Sequence, residues 1–159
     1  MRGNEQVIAK LNEGLREELT AINQYFVHAE MCHNWGYHRL GAFIQKQSIG
    51  EMKHAEELLE RIIFLDGAPK MEPLPLTIGQ DVKTQLRNDL DLELKAVVMY
   101  NDAIKIAREA GDNSSRELFE RLLKDEETHV DFLESQMHLI EQLGYERYLA
   151  QQIDGKDHG

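Results

Sequence analysis

All three prolines of this 159-residue chain lie in one short stretch, GAPKMEPLPLTIG, between Gly67 and Gly79. Because proline lacks a backbone N–H and clashes with the preceding helical turn, neither a helix nor a central strand can continue through that stretch. The two flanking halves instead place apolar residues at steps of three and four, the spacing of amphipathic helices. The chain is therefore predicted to form helices in two halves that are joined by one extended connection.

Each half is predicted to fold as a helical hairpin, because each contains one short turn with glycine, at 34–37 and at 111–114. Two short turns and one long middle connection give the connectivity of ferritin-like bundles. The predicted fold is all-α: a ferritin-like up-down-down-up four-helix bundle with one long crossover and a short fifth C-terminal helix. The predicted boundaries, within a single domain over residues 1–159, are helix pairs at about 5–66 and 83–143, a crossover at 67–82 and a short helix at about 145–153.

The apolar stripes predict which side chains face the core. On the first helix these are Ile8, Leu11, Leu15, Leu19, Ile22, Phe26 and Ala29. The second helix is predicted to end at Gly67, and it carries a second apolar face formed by Ile49, Met52, Leu59 and Ile63. We therefore expect this helix to be covered on two sides.

Each predicted helix also places a carboxylate on its core-facing stripe: Glu18, Glu51, Glu93 and Glu126. At about 100° per residue, Glu18 lies about 40° from Ile22, whereas the neighbouring Glu17 points to solvent. Burying carboxylates in an apolar core is prohibitively unfavourable unless they are compensated, and no Lys or Arg lies at the same level of these stripes. A bound metal is the simplest compensation. A shared proton, or buried salt bridges that happen to repeat, are the alternatives.

The spacing of these carboxylates favours the metal. The interval from Glu18 to Glu51 equals the interval from Glu93 to Glu126, so the two halves form an internal repeat in which Glu93 is the counterpart of Glu18 and Glu126 that of Glu51. In both halves the second Glu begins a Glu-x-x-His motif, which ends at His54 and at His129. Ferritin-like di-iron and di-manganese proteins use this ligand set: one Glu from each of two helices and a Glu-x-x-His motif from each of the other two.

A third Glu-x-x-His motif, Glu30 with His33, lies at the end of the bundle, and its counterparts in the second half are Lys105 and Arg108. We therefore interpret Glu30 and His33 as a surface pair.

Carboxylate and imidazole ligands favour iron or manganese over ions that prefer thiolates. Glu51 and Glu126 are predicted to bridge two ions because they are central on their stripes. Glu18, His54, Glu93 and His129 are predicted to be terminal ligands. Four carboxylates match the charge of two divalent ions, and open positions are left for oxygen or peroxide.

The segments LREELTAINQYF, SIGEMKHAEELLERIIFLDG, LDLEL and LLKDEETHVDFLE resemble bacterioferritin, and the likeness continues through YLAQQI. The resemblance implies a hollow shell of 24 subunits that oxidises Fe(II) with O2 or H2O2 at a di-iron centre inside each subunit and stores the ferric mineral. It implies that Met52 ligates a b-type haem shared between two subunits, and that Tyr25 acts beside the metals as a supporting group or electron donor. Some bacterioferritins carry His and Asp where this chain has Lys46 and Gly50, which puts an accessory iron site on the cavity wall in doubt. A ferredoxin-type protein is the expected reductant for iron release.

Composition excludes other classes of function. The formal net charge is -11, which a nucleic-acid backbone would repel, and no apolar run is long enough to span a membrane. The single Cys32 favours a reducing, cytoplasmic compartment and argues against a rubrerythrin-like peroxidase, which would ordinarily bring a four-Cys module. A non-enzymatic helical scaffold whose Glu and His side chains only form ion pairs stays as the rival from another class.

Overall fold

The computed structural model describes residues 1–154, in which all regular secondary structure is helical. The helices are α1 (Glu5–Asn34), α2 (His38–Phe64), α3 (Val82–Glu109), α4 (Asn113–Leu143) and α5 (Tyr145–Ala150). The predicted all-α bundle is confirmed, although the fifth helix ends at Ala150 rather than at 153. The predicted single domain extends over 155–159, which lie outside the described residues, and it stays a prediction. No helix in the described part of the chain is both long enough and apolar enough to cross a membrane.

Contacts between the two halves fix the helix directions. Tyr25 near the end of α1 contacts Glu93 of α3, whereas Tyr100, later on α3, contacts Glu18, earlier on α1. α1 and α3 are therefore antiparallel. Since short turns also make α1 and α2, and α3 and α4, antiparallel, the order is up-down-down-up, with the long crossover between α2 and α3.

Side-chain caps explain where the helices begin. Asn4 accepts hydrogen bonds from two amides of the first turn of α1, and Asp81 and Asp112 cap α3 and α4 in the same way. The second helix ends at Phe64, shortly before the predicted end at Gly67, and the residue with a left-handed backbone after it is Asp66, at φ 59°. Gly67 serves a different purpose, since a Cβ there would lie 2.7 Å from Cγ2 of Ile8.

The proline-rich crossover, residues 67–81, forms neither helix nor strand, so its backbone groups need hydrogen-bond partners from elsewhere in the protein. Buried polar side chains along α1 supply them. The bonds join Asn12 Nδ2 to the Ala68 carbonyl (3.1 Å), the Lys70 amide to Asn12 Oδ1 (2.8 Å), the Leu74 amide to Thr20 Oγ1 (2.8 Å), the Thr77 amide to Gln24 Oε1 (3.1 Å) and the Gly79 amide to His28 Nε2 (3.1 Å). This series holds the crossover along the length of α1.

The interior contains two apolar clusters, one at each end of the bundle. The first includes Leu11, Leu58 and Phe119, and the second includes Ile44 and Leu133. On every long helix the predicted core carboxylate falls between the two clusters. The carboxylates thus lie near the middle of the bundle, enclosed by apolar layers above and below.

One part of the predicted core was wrong. Phe26 is 61% exposed, and Ile8, Leu19 and Ile22 are only half-buried, because the buried face of α1 runs through Val7, Leu11, Leu15, Glu18, Ala21, Tyr25 and Ala29. On α2, Ile49, Met52 and Ile63 are each more than half exposed in the single chain. Apolar periodicity cannot distinguish a side chain that faces the core from one that is exposed on the surface of the single chain, and α1 carries both kinds.

Candidate metal centre

The six predicted ligands converge on one place in the bundle. Glu18, Glu51, Glu93 and Glu126 are each at most 1% exposed, His54 is buried and His129 is half-buried. The two imidazole rings lie parallel, with centroids 6.3 Å apart. One ring nitrogen of each His points at the carboxylates. His54 Nδ1 lies 3.5 Å from Glu18 Oε2, 3.5 Å from Glu51 Oε1 and 3.3 Å from Glu126 Oε1; His129 Nδ1 lies 3.2 Å from Glu51 Oε1, 3.6 Å from Glu93 Oε1 and 3.3 Å from Glu126 Oε2.

These atoms form two overlapping groups, in each of which the ligand atoms lie within 4.8 Å of one another. One group is Glu18, Glu51, His54 and Glu126, and the other is Glu51, Glu93, Glu126 and His129. Only Glu51 and Glu126 belong to both groups. The arrangement therefore suits two ions with two shared carboxylates between them and one Glu and one His at each end.

The donor atoms that face the middle of the cluster have unused lone pairs. Within residues 1–154, Glu18 Oε2, Glu51 Oε1, Glu93 Oε2, both carboxylate oxygens of Glu126 and Nδ1 of both His54 and His129 are buried without a hydrogen bond. The ion pairs of these four carboxylates in the same part of the chain involve His alone. Since Lys and Arg do not compensate the charge, the donor set fits divalent cations.

Without a cation, protons stabilise this cluster. Burial, and then the negative charge of Glu18, raise the pKa of Glu51 and of Glu126 well above the usual value of a glutamate. Burial lowers the pKa of each His, but the adjacent carboxylates outweigh it, so that the pKa of His54 rises to about 11 and that of His129 to about 10. A metal would therefore displace protons when it binds.

Glu18 behaves differently. Burial acts to raise its pKa, but interactions with His54, Glu51 and Tyr100 outweigh burial and lower it. Its carboxylate thus carries a negative charge more readily than those of Glu51 and Glu126 before any cation arrives.

Two buried tyrosines hold the unshared glutamates from opposite helices. Tyr100 donates its phenolic hydrogen to Glu18 Oε1 at 2.6 Å, and Tyr25 donates to Glu93 Oε1. Burial, and then neighbouring carboxylates, raise the pKa of both phenols well above 10, which keeps them protonated as donors. Each bond occupies Oε1 of its glutamate and leaves Oε2 buried without a hydrogen bond. From the sequence, Tyr25 was expected beside the metals through the family resemblance alone, and the contact of Tyr100 with Glu18 was not predicted.

Asp125 was not predicted from the sequence either. Its Oδ2 lies 2.9 Å from Nε2 of His54, on the side of the ring away from the cluster. The residue is 51% exposed and belongs to the acidic run KDEE, so nothing in its local pattern distinguishes it from a solvated charge. Comparing the two halves of the sequence could have drawn attention to this position, because the residue equivalent to Asp125 in the first half is Gly50, so the halves differ there.

A buried polar group beside the cluster was missed as well. Asp89, one helical turn before Glu93, is 1% exposed, accepts a hydrogen bond from Gln24 Nε2 (2.9 Å) and forms a close ion-pair contact with His28, whose Nδ1 lies 2.9 Å from Asp89 Oδ1. Because Nε2 of His28 accepts from the Gly79 amide, the ring proton is on Nδ1. Burial raises the pKa of Asp89, which the bond from His28 opposes. The group ties α3 to α1 and to the crossover.

Several residues singled out in the sequence lie outside the cluster. Met52 is 56% exposed on the apolar face of α2, and Lys46 is exposed on the same helix. Glu17 was predicted to face solvent but is half-buried, and burial raises its pKa.

The interpretation of Glu30 and His33 as a surface pair was half wrong. Glu30 is exposed, but His33 is buried and its Nδ1 lies 3.1 Å from Nδ1 of His38. The reason is that α2 folds back over the end of α1, so that His33 packs against Gly41.

Comparison with known proteins agrees with this architecture. The family described as the ferritin-like domain matches residues 8–143. The bacterioferritin of Mycolicibacterium paratuberculosis is 43% identical over 152 residues, which cover 95% of this chain and 96% of that protein. The bacterioferritin of Brucella melitensis is 45% identical over 149 residues (93% and 92%), and that of Streptomyces coelicolor is 42% identical over 155 residues (97% and 93%). The chain belongs to the ferritin-like proteins and, within them, to the bacterioferritins.

Proposed function

We propose that this protein stores iron and is a ferroxidase: it oxidises Fe(II) to Fe(III) at a di-iron centre within each subunit, with O2 or H2O2 as the electron acceptor. The observation that carries the proposal is the pair of overlapping four-ligand groups that share Glu51 and Glu126. Four buried carboxylates, which have no Lys or Arg partner among residues 1–154, supply the negative charge that two Fe(II) ions neutralise.

The ligands divide into three pairs by position. Glu51 and Glu126 bridge the two ions, Glu18 and His54 complete one position, and Glu93 and His129 complete the other. Each Fe(II) bound there gives up one electron to the acceptor. Shared carboxylates keep the two ions close, so that one acceptor molecule can take electrons from both.

The surrounding side chains orient the ligands. The phenols of Tyr100 and Tyr25 hold Glu18 and Glu93 so that one oxygen of each carboxylate faces the ions. The role of Tyr25 as an electron donor stays a prediction of the family resemblance. The apolar clusters above and below exclude water from the centre, which strengthens its electrostatic interactions.

We propose that Met52 ligates a b-type haem at a two-fold interface and that such dimers build a shell of 24 subunits. The support is the exposure of apolar side chains: Met52, Ile49 and Ile63 on α2 and Phe26 on α1 are each more than half exposed in the single chain. An exposed methionine with apolar neighbours on its own helix offers the haem iron a thioether sulfur. Exposed apolar patches of this kind mark interfaces.

Iron is proposed to collect inside the shell as a ferric mineral and to leave after reduction by a ferredoxin-type partner. Where a cavity-wall site would need His and Asp, this chain has an exposed Lys46 and, at Gly50, no side chain. The route from the centre into the cavity is therefore expected to avoid those positions. The cytoplasmic location favoured by the single buried Cys32 stays a prediction.

The test compares two adjacent glutamates of α4. Metal-free protein receives Fe(II) without oxygen and is then exposed to air while the ferric absorbance is recorded. Glu126→Gln removes a shared ligand and is expected to abolish the fast phase, whereas Glu127→Gln changes an exposed neighbour and should leave it intact. If no ferric absorbance develops in the unmodified protein, it is a scaffold and not a ferroxidase. Equal rates in the two variants would contradict the site.

A further inference from the structure

The metal centre has an internal two-fold relation that follows the internal repeat of the sequence. Tyr25 holds Glu93 just as Tyr100, its counterpart in the second half, holds Glu18. The shared carboxylates obey the same relation. His129 Nδ1 lies 3.2 Å from Glu51 Oε1, and His54 Nδ1 lies 3.3 Å from Glu126 Oε1. Contacts on one side of the centre therefore predict those on the other.

One contact breaks the relation. Asp125 immediately precedes Glu126 on α4 and lies 2.9 Å from Nε2 of His54 on α2. The equivalent residue immediately precedes Glu51 on α2 and would face His129, but it is Gly50, which has no side chain to reach the ring. Within residues 1–154, no carboxylate makes the corresponding hydrogen bond to Nε2 of His129. The ring of His129 instead borders a cavity of about 20 Å³ with Phe43 and Phe132 in its lining.

A carboxylate on the outer nitrogen of a ligating imidazole has two effects. It accepts the Nε2 proton, which leaves the Nδ1 lone pair for the metal, and it fixes the orientation of the ring. It also makes the imidazole a more basic ligand. Removing such a partner typically weakens metal binding by about 10- to 100-fold. Because Asp125 is 51% exposed and solvent screens its charge, we expect the lower end of this range.

We propose that the two metal positions of this centre are unequal: the position of Glu18 and His54 binds a divalent ion more tightly than the position of Glu93 and His129, because, among residues 1–154, Nε2 of His54 has a carboxylate partner and Nε2 of His129 has none. The inference rests on the proposed di-iron centre. It assigns Asp125 as a positioning residue and Gly50 as the cause of the weaker position.

The experiment titrates metal-free, assembled protein with Co(II) in the absence of oxygen and records cobalt absorbance and heat. Two ions per subunit are expected to bind in two steps whose dissociation constants differ by about tenfold. Asp125→Asn should weaken the tighter step by about tenfold and leave the weaker one in place. Gly50→Asp should tighten the weaker step by a similar factor, since a Cβ at Gly50 meets nothing within 4 Å and the helix can accept the change.

Two controls separate the proposal from other effects. Gly50→Asn adds a side chain of the same shape without the charge, so that any gain from helix propensity appears in both variants and only the difference counts. In the background of His129→Ala, Gly50→Asp should no longer tighten binding, because its effect acts through that ring.

The outcomes are distinguishable from those of the proposed function. Protein that binds no Co(II) at the centre would overturn both proposals. Two ions bound with equal affinity, or a gain from Gly50→Asp that Gly50→Asn reproduces or that persists without His129, would overturn only the inequality and leave the di-iron centre standing.

Discussion

Tyr100→Phe removes one oxygen atom from a fully buried side chain and leaves the ring in place. The phenol donates at 2.6 Å to Glu18 Oε1, and both groups are buried. Phe119 packs near the ring, with centroids 6.2 Å apart, so no protein donor on that side can replace the lost bond. The variant therefore leaves a buried carboxylate oxygen without a partner and frees the carboxylate to rotate.

The magnitude follows from the charge of the acceptor. A hydrogen bond to a charged group contributes about 1.5–3 kcal/mol. At about 1.4 kcal/mol per factor of ten, its loss corresponds to about 10- to 100-fold in affinity for the ion that Glu18 ligates. The effect of removing a partner of a metal ligand falls in the same range. We expect one of the two Co(II) dissociation constants to rise by this factor and the other to change little.

Tyr148→Phe is the matched control. Tyr148 is 1% exposed, and its hydroxyl donates to Gln136 Oε1 at 2.7 Å near the opposite end of the bundle. This variant also loses a hydrogen bond of a buried tyrosine, but it should keep both constants. If Tyr100→Phe changes neither constant by more than about threefold, which is about 0.6 kcal/mol, the phenol does not orient Glu18 for metal binding.

Three further predictions concern pH, haem and assembly. Because the pKa values of His54 (about 11) and His129 (about 10) are raised, protonation of these residues stabilises the metal-free fold fully below pH 6.5, and this stabilisation is lost as the pH rises through 10 to 11. The raised pKa of Glu51 also lowers the stability as the pH rises above about 4.5. The melting temperature of the metal-free protein, measured with a chelator present, should therefore fall between pH 6 and pH 10. A rise would contradict the idea that these side chains keep their protons in the folded state. Saturating Co(II) should abolish the fall. Met52→Leu should abolish the visible haem band while ferrous oxidation continues, and a retained band would mean another ligand. Phe26→Glu should weaken the dimer in sedimentation experiments, and unchanged assembly would show that this face is not an interface.

Part of the metal cluster could be predicted from helical phase and spacing. Glu18 and Glu93 each precede a Glu-x-x-His motif by the same interval, and the structure brings the members of both sets into two overlapping groups. The prediction worked because a carboxylate on an apolar stripe needs compensation wherever the helix packs. That the cluster holds iron stays a proposal.

Other parts had no local signal. Asp125 lies in an exposed acidic run, and its contact with His54 depends on how α2 and α4 pack. Gln24 and His28 on α1 are ordinary polar residues until the crossover lies against them and Asp89 faces them from α3. Phe26 shows the converse, since its spacing fits the core stripe while the rotation of α1 exposes it.

The helical hairpins, the single crossover at the prolines and the level of the carboxylates can be predicted from the sequence, because they depend on backbone chemistry and on the period of the α-helix. Helix packing sets which tyrosine holds which glutamate, and it gives Nε2 of His54 a carboxylate partner that, within the described residues 1–154, Nε2 of His129 lacks. Those pairings join different helices, and the distance between two side chains on separate helices depends on how the helices rotate and pack against each other.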